Sequence, residues 1–156
     1  MKIAAYTVLL LMVGCTTTPA HRCNEPLDPL AVATHLTKAV HNHMEHGRVP
    51  QETWDTGKAL QRQRGLCSQQ AMALHGLFQM FGIESKVLGL DGHVICLALV
   101  GDAWITCDPD YGVVVPIDIT KIEQDPSLVT PYYGKDMPAF NKEGNHYYTS
   151  TGGEKP

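Results

Sequence analysis

The sequence predicts an α+β domain in which one buried helix packs on a small antiparallel sheet. Three observations carry that prediction. After Cys67 the apolar residues Ala71, Leu74, Phe78 and Phe81 recur at spacings of three and four, the stripe of a core-facing helix. From Ser85 onward the apolar period falls to two, the mark of strands. The period-two segments are joined by Asp91-Gly92 and Gly101-Asp102, dipeptides suited to two-residue hairpin turns.

The N-terminus has a different character. Residues 1–14 hold one cation, Lys2, an apolar run from Ile3 to Val13, and Gly14, the pattern of a removable export signal. Met12-Val13-Gly14-Cys15 resembles a bacterial lipobox, which would make Cys15 the acylated first residue of the mature chain. Residues 15–27 read as a tether rich in Thr and Pro, and 28–156 as a single domain with its core at about 50–117. A chain of 156 residues that is 44% hydrophobic has room for one core. The formal net charge of -4, with no cluster of Lys and Arg, excludes a nucleic-acid footprint. No apolar run after Cys15 is long enough to cross a bilayer, so the expected membrane attachment is through lipid alone. The expected location is the bacterial cell envelope, facing the periplasm or the exterior.

Within the domain, Asp28-Pro29 opens a first helix, an N-cap followed by Pro at the first helical position. Leu30, Ala33, Leu36, Val40 and Met44 share one face up to about Glu45, and Gly47 ends the element. A second helix is expected over 51–63. The third starts at Cys67 and stops at Gly82, placed as a C′ glycine. Strands follow over Ser85–Leu90, His93–Val100 and Ala103–Asp108, with a fourth over Tyr111–Ile119. The tail from Thr120, rich in Pro, Gly and Tyr, gives no clear period.

Three side chains stand out chemically. Cys67 sits at a helix start, where the helix dipole favours a negative thiolate. His93 begins one strand of a hairpin, and Asp108 ends the other. With Gly101-Asp102 at the tip, Val100 faces Ala103 and Ile95 faces Asp108, so His93 and Asp108 are diagonal neighbours on one side of the ribbon. The same register sets Cys96 opposite Cys107 on the other face, where a disulfide and two packed thiols are both open. His35, His41, His43 and His46 lack acidic or thiol partners at matching offsets, apart from Glu45. They read as a solvated helix face rather than a metal site. Tyr132, Tyr133, Tyr147 and Tyr148 read as packing for the C-terminal segment, with a groove lining as the other reading.

The ordered set Gly65-Leu66-Cys67, Gly82-Ile83, Gly92-His93, Trp104 and Asp108-Pro109 resembles the transglutaminase-like core, a branch of the papain-like cysteine fold. Ser68-Gln69-Gln70 departs from it, because the family often carries an acidic residue just after the cysteine. The resemblance implies a Cys67–His93–Asp108 triad that attacks a carboxamide carbonyl. His93 is then base and acid, and Asp108 orients it. It further implies an oxyanion hole built from the Cys67 backbone N–H and one side-chain donor. Gln61, six residues before Cys67, has the papain-type spacing, with Trp54 and Gln63 as rivals. The expected function is thiol-dependent acyl transfer on the amide bonds of a peptide or protein, hydrolysis ahead of cross-linking, with no cofactor and no metal. The alternative is an inactive envelope-binding module that retains the fold.

Lipidation has a direct test. Protein made in a Gram-negative host is expected to partition into detergent with acyl chains on Cys15, and Cys15→Ser is expected to release it or leave it unprocessed. Soluble, unacylated wild-type protein would contradict the anchor.

Overall fold

A five-stranded antiparallel sheet lies between two layers of helix, and both layers follow from the apolar content of its central strand. The computed structural model describes residues 27–48, 56–135, 138–141 and 143–148. Cys15, Trp54, the export signal and most of the tether lie outside these. Along the chain run α1 (Pro29–His43), β1 (Glu45–His46), α2 (Thr56–Arg62), β2 (Arg64–Gly65), α3 (Cys67–Met80), β3 (Ser85–Leu90), β4 (His93–Val100), β5 (Ala103–Asp108) and β6 (Val113–Asp118). Then come α4 (Ile119–Gln124), a 3₁₀ turn (Pro126–Val129), α5 (Thr130–Tyr133) and β7 (His146–Tyr148). The sheet order is β6-β5-β4-β3-β7. This is the α+β architecture expected from the sequence, with α3 packed against the antiparallel sheet.

The predicted hairpins form in the predicted register. Val100 pairs with Ala103 and the ladder runs back to Cys96 opposite Cys107, while Leu90 pairs with His93 across the first turn. Gly92 (φ 74°) and Gly101 (φ 60°) take the left-handed conformation that such turns require. In the edge strand β6 the register shifts between Ile105 and Thr106, whose partners are Asp118 and Val115. Pro116 falls in that bulge, a position that asks no N–H of it.

Strand β4 is buried on both faces. Cys96 and Ala98 join Ala33, Leu36, Val40, Leu74 and Phe78 in a core under α1 and α3. Ile95 and Leu97 face the other way, into a second core with Ile122, Val129, Tyr133 and Phe140. The unreadable tail is therefore the second layer of the fold. Its signal was the run Val94–Ala98, apolar without interruption, as expected of a strand covered on both sides.

Helix α1 matches its expected stripe. Asp28 caps it by accepting from the Leu30 N–H at 3.1 Å, and Ala33, Leu36, Val40 and Met44 are buried. In α3 the stripe fails at one end: Ala71, Leu74 and Phe78 are buried, but Phe81 is 51% exposed. Phe81 is the C-cap, already past the last turn that touches the sheet. The two-residue strands β1 and β2 pair in parallel, Glu45 with Arg64 and His46 with Gly65. No sequence period announces so short a ladder.

Leu74 is fully buried in the first core, so Leu74→Ala opens a cavity there. It is expected to lower stability by about 3 kcal/mol, read as a drop in the urea midpoint at constant slope. A change under about 1 kcal/mol would contradict the packing of α3.

Candidate active site

The site forms where the start of α3, the start of β4 and the end of β5 converge. Cys67 is the first residue of α3, half-buried, with Leu66 in extended conformation before it. The turn is fixed by the Gln69 side chain, whose Oε1 accepts from the Leu66 N–H at 3.0 Å. Gly65 is needed for close packing, since a Cβ there would stand 3.0 Å from the Gln69 Cβ and 3.1 Å from the Met44 Cε. As the first residue of α3, Cys67 sits at the positive end of the helix dipole, a setting that favours negative charge.

His93 donates from Nε2 to Asp108 Oδ2 at 2.8 Å. Its other ring nitrogen, Nδ1, is not engaged by Asp108, and Cys67 lines the same cleft as His93 and interacts with it electrostatically. The His93 side chain is 10% exposed and that of Asp108 0%. Burial pulls the imidazole towards its neutral form, but the hydrogen bond to Asp108 and the negative charges of Asp108 and Cys67 outweigh it. The net effect raises its pKa from 6.5 to about 10. The structure thus brings together the three side chains singled out in the sequence.

Asp108 is held from four directions. Oδ1 accepts from the N–H groups of Asp110 at 3.0 Å and Tyr111 at 3.3 Å. Oδ2 accepts from His93 and also from the Tyr133 hydroxyl at 2.9 Å. Burial first, and then the charge of Asp108, push the Tyr133 phenol far up, so it remains a donor at any ordinary pH. Tyr111 stands edge-on between the rings of His93 and Tyr133, with centroids 5.4 and 5.5 Å away. Tyr133 does more than pack the C-terminal segment, as the sequence suggested, because its hydroxyl supports the carboxylate.

A second polar cluster lies beside the first. Asp110 Oδ1 accepts from His46 Nδ1 at 2.7 Å and from Gln70 Nε2 at 2.9 Å. His41 Nδ1 lies 3.1 Å from the carbonyls of Pro109 and Asp110, and His43 Nε2 lies 2.9 Å from that of Leu60. All four histidines of the expected solvated face are exposed. Of these residues only His35 is an exposed side chain with no hydrogen bond among the described residues; the other three tie α1 and β1 to the site loop and to α2. Among the described residues no three His, Cys, Asp or Glu side chains are grouped to hold a metal.

An open cleft of about 540 Å³ runs over the thiol, lined by His46, Leu66, Cys67, Ser68, Leu90, Gly92, His93 and Val94. Gln61, expected as the oxyanion donor, is exposed on α2 and outside that lining. The spacing argument fails because α2 ends at Arg62, Gln63 turns left-handed (φ 53°), and β2 then intervenes before Cys67. Gln63 is exposed as well. Cys96 and Cys107 are opposite each other as expected, but both are free thiols. Cys96 Sγ lies 3.7 Å from the Leu97 carbonyl, and both sulfurs are buried in the core under α1 and α3. Burial pushes the Cys107 thiol up to about 12 and that of Cys96 well above its usual value, so both stay protonated and unreactive near neutral pH.

No family model matches the chain, and no curated protein matches it. A solved structure from Cytophaga hutchinsonii, described as a "Putative Cysteine Protease", is similar at 17% identity with a TM-score of 0.47. The similarity covers 52% of this chain and 31% of that one.

The raised pKa has a spectroscopic consequence. A raised value means that the imidazolium persists upward in pH, so the His93 C2-proton resonance is expected to titrate with a midpoint near 10. In Asp108→Asn the midpoint is expected to fall. A wild-type midpoint near 6.5 would contradict the His93 contacts.

Proposed function

We propose that this protein is a cysteine acyl-transfer enzyme of transglutaminase-like type, acting on amide bonds of peptide or protein substrates in the cell envelope. The observation that carries the reading is that His93, hydrogen-bonded to Asp108, shares the wall of an open cleft with Cys67, the first residue of a helix. An imidazolium beside a thiol favours the thiolate, which is the reactive form.

The steps follow from that pair. The Cys67 thiolate adds to the carbonyl carbon, forming a C–S bond while the C=O π pair moves onto oxygen. The tetrahedral oxyanion collapses, C=O re-forms and the C–N bond breaks. The leaving amine takes the proton from His93 Nδ1. Water then attacks the thioester and gives a proton to Nδ1, and the thiolate departs as the acid is released. Asp108 keeps Nε2–H oriented throughout and stabilises the positive ring, the role of the third member of such triads. An amine in place of water gives cross-linking by the same path. Water is the default acceptor when no amine is held in place, and hydrolysis is the reading we favour. Acylation of Cys15 would tether the enzyme to the membrane surface.

Cys67→Ala is expected to abolish turnover of an amide substrate. Asp108→Asn should keep the far-UV circular dichroism and lose roughly 10³–10⁴ in kcat. Ammonia or peptide release without incorporation of a dansylated amine identifies hydrolysis. Full activity in Cys67→Ala would contradict catalysis by this site and leave an envelope-binding role.

A further inference from the structure

We infer that His46 supplies the side-chain donor of the oxyanion hole, a role that rests on the acyl-transfer reading above. The tetrahedral oxygen formed on attack by Cys67 needs a donor besides the Cys67 N–H, and the residue that spacing suggested, Gln61, is outside the cleft. His46 lines the same cleft as Cys67 and His93. The parallel pairing of β1 with β2 sets His46 opposite Gly65, two residues before the nucleophile. Its place beside the helix N-terminus is thus fixed by backbone bonds rather than by a free loop.

The ring is also oriented. Nδ1–H is spent on Asp110 Oδ1 at 2.7 Å, and that carboxylate, 10% exposed, is itself held by Gln70 from α3. The ring's remaining atom for a substrate is Nε2, which has no hydrogen-bond partner among the described residues, on a side chain that is 58% exposed. Nε2 is a donor towards the developing oxyanion when it carries a proton, with Nδ1–H still held on Asp110. His46 transfers no proton: it donates one hydrogen bond, while His93 carries the proton to the leaving group. Asp110 is then the positioning residue of His46, as Asp108 is of His93. The segment Asp108-Pro109-Asp110 serves both walls of the cleft.

Two reactions of the same thiol test the assignment in the full chain. Acylation by p-nitrophenyl acetate passes through a tetrahedral oxyanion, whereas alkylation by iodoacetamide does not. His46→Ala, at an exposed position, is expected to slow acylation by about 100-fold and to leave the alkylation rate within about twofold of wild type. His46→Gln, which restores a neutral donor, is expected to recover most of the acylation rate. Wild-type acylation in His46→Ala would overturn the assignment, as would an equal loss in both reactions, which would place His46 in thiolate formation. Loss of acylation in Ser68→Ala with none in His46→Ala would overturn it in favour of the neighbouring hydroxyl. A wild-type thiol that reacts no faster than a denatured one in either assay would overturn the catalytic reading itself, a result distinct from the others.

Discussion

An ionised carboxylate shut away from water is stable only if its oxygens are fully occupied by donors. Asp108 meets that condition with four, and the way it does so sets the layout of the domain. The backbone N–H groups of Asp110 and Tyr111 require a tight turn directly after β5. The Tyr133 hydroxyl requires the chain to return over the second face of the sheet. His93 requires the start of β4 to lie beside the end of β5, which the two-residue turn at Gly101-Asp102 provides. Remove any of these and a buried charge loses a partner, at a cost of kilocalories rather than tenths.

The C-terminal segment is thus structural and chemical together. Val129, Tyr133 and Phe140 close a core against Leu88, Ile95 and Leu97, and the same packing lowers the Tyr133 hydroxyl onto Asp108. On the opposite face α1 and α3 bury Cys96 and Cys107. By alternation along β4, His93 belongs with Ile95 and Leu97 on the face away from α3. Cys67 therefore meets it at the end of the sheet and not across it. A thiol on one layer and an imidazole on the other can join only at such an end, which is where the cleft opens.

What could be read from the sequence was local. The hairpin register, the shared face of His93 and Asp108, and the start of α3 at Cys67 all depend on residues within a turn or a strand pair of one another. The parts that escaped depend on contacts between distant segments. Tyr133 reaches Asp108 across 25 residues, and His46 reaches Asp110 across 64. Neither carries a periodic signal, and the two-residue β1–β2 ladder that places His46 has none either. Gln61 lies away from the cleft because the papain-type spacing assumes a continuous turn before Cys67, and here Gln63 and β2 break it. The second covered face was visible in principle, in the unbroken apolar run of β4, which a period-two reading obscured.

The account stands or falls on whether Asp108 activates Cys67 through His93. The most direct measurement is the second-order rate constant for alkylation of Cys67 at pH 7, in wild type and in Asp108→Asn, with the modified residue identified by peptide mapping. The structure predicts a wild-type rate well above that of the same thiol in denatured protein, and a rate in Asp108→Asn that falls back towards it. Equal rates in the folded wild type, the folded variant and the denatured chain would contradict it.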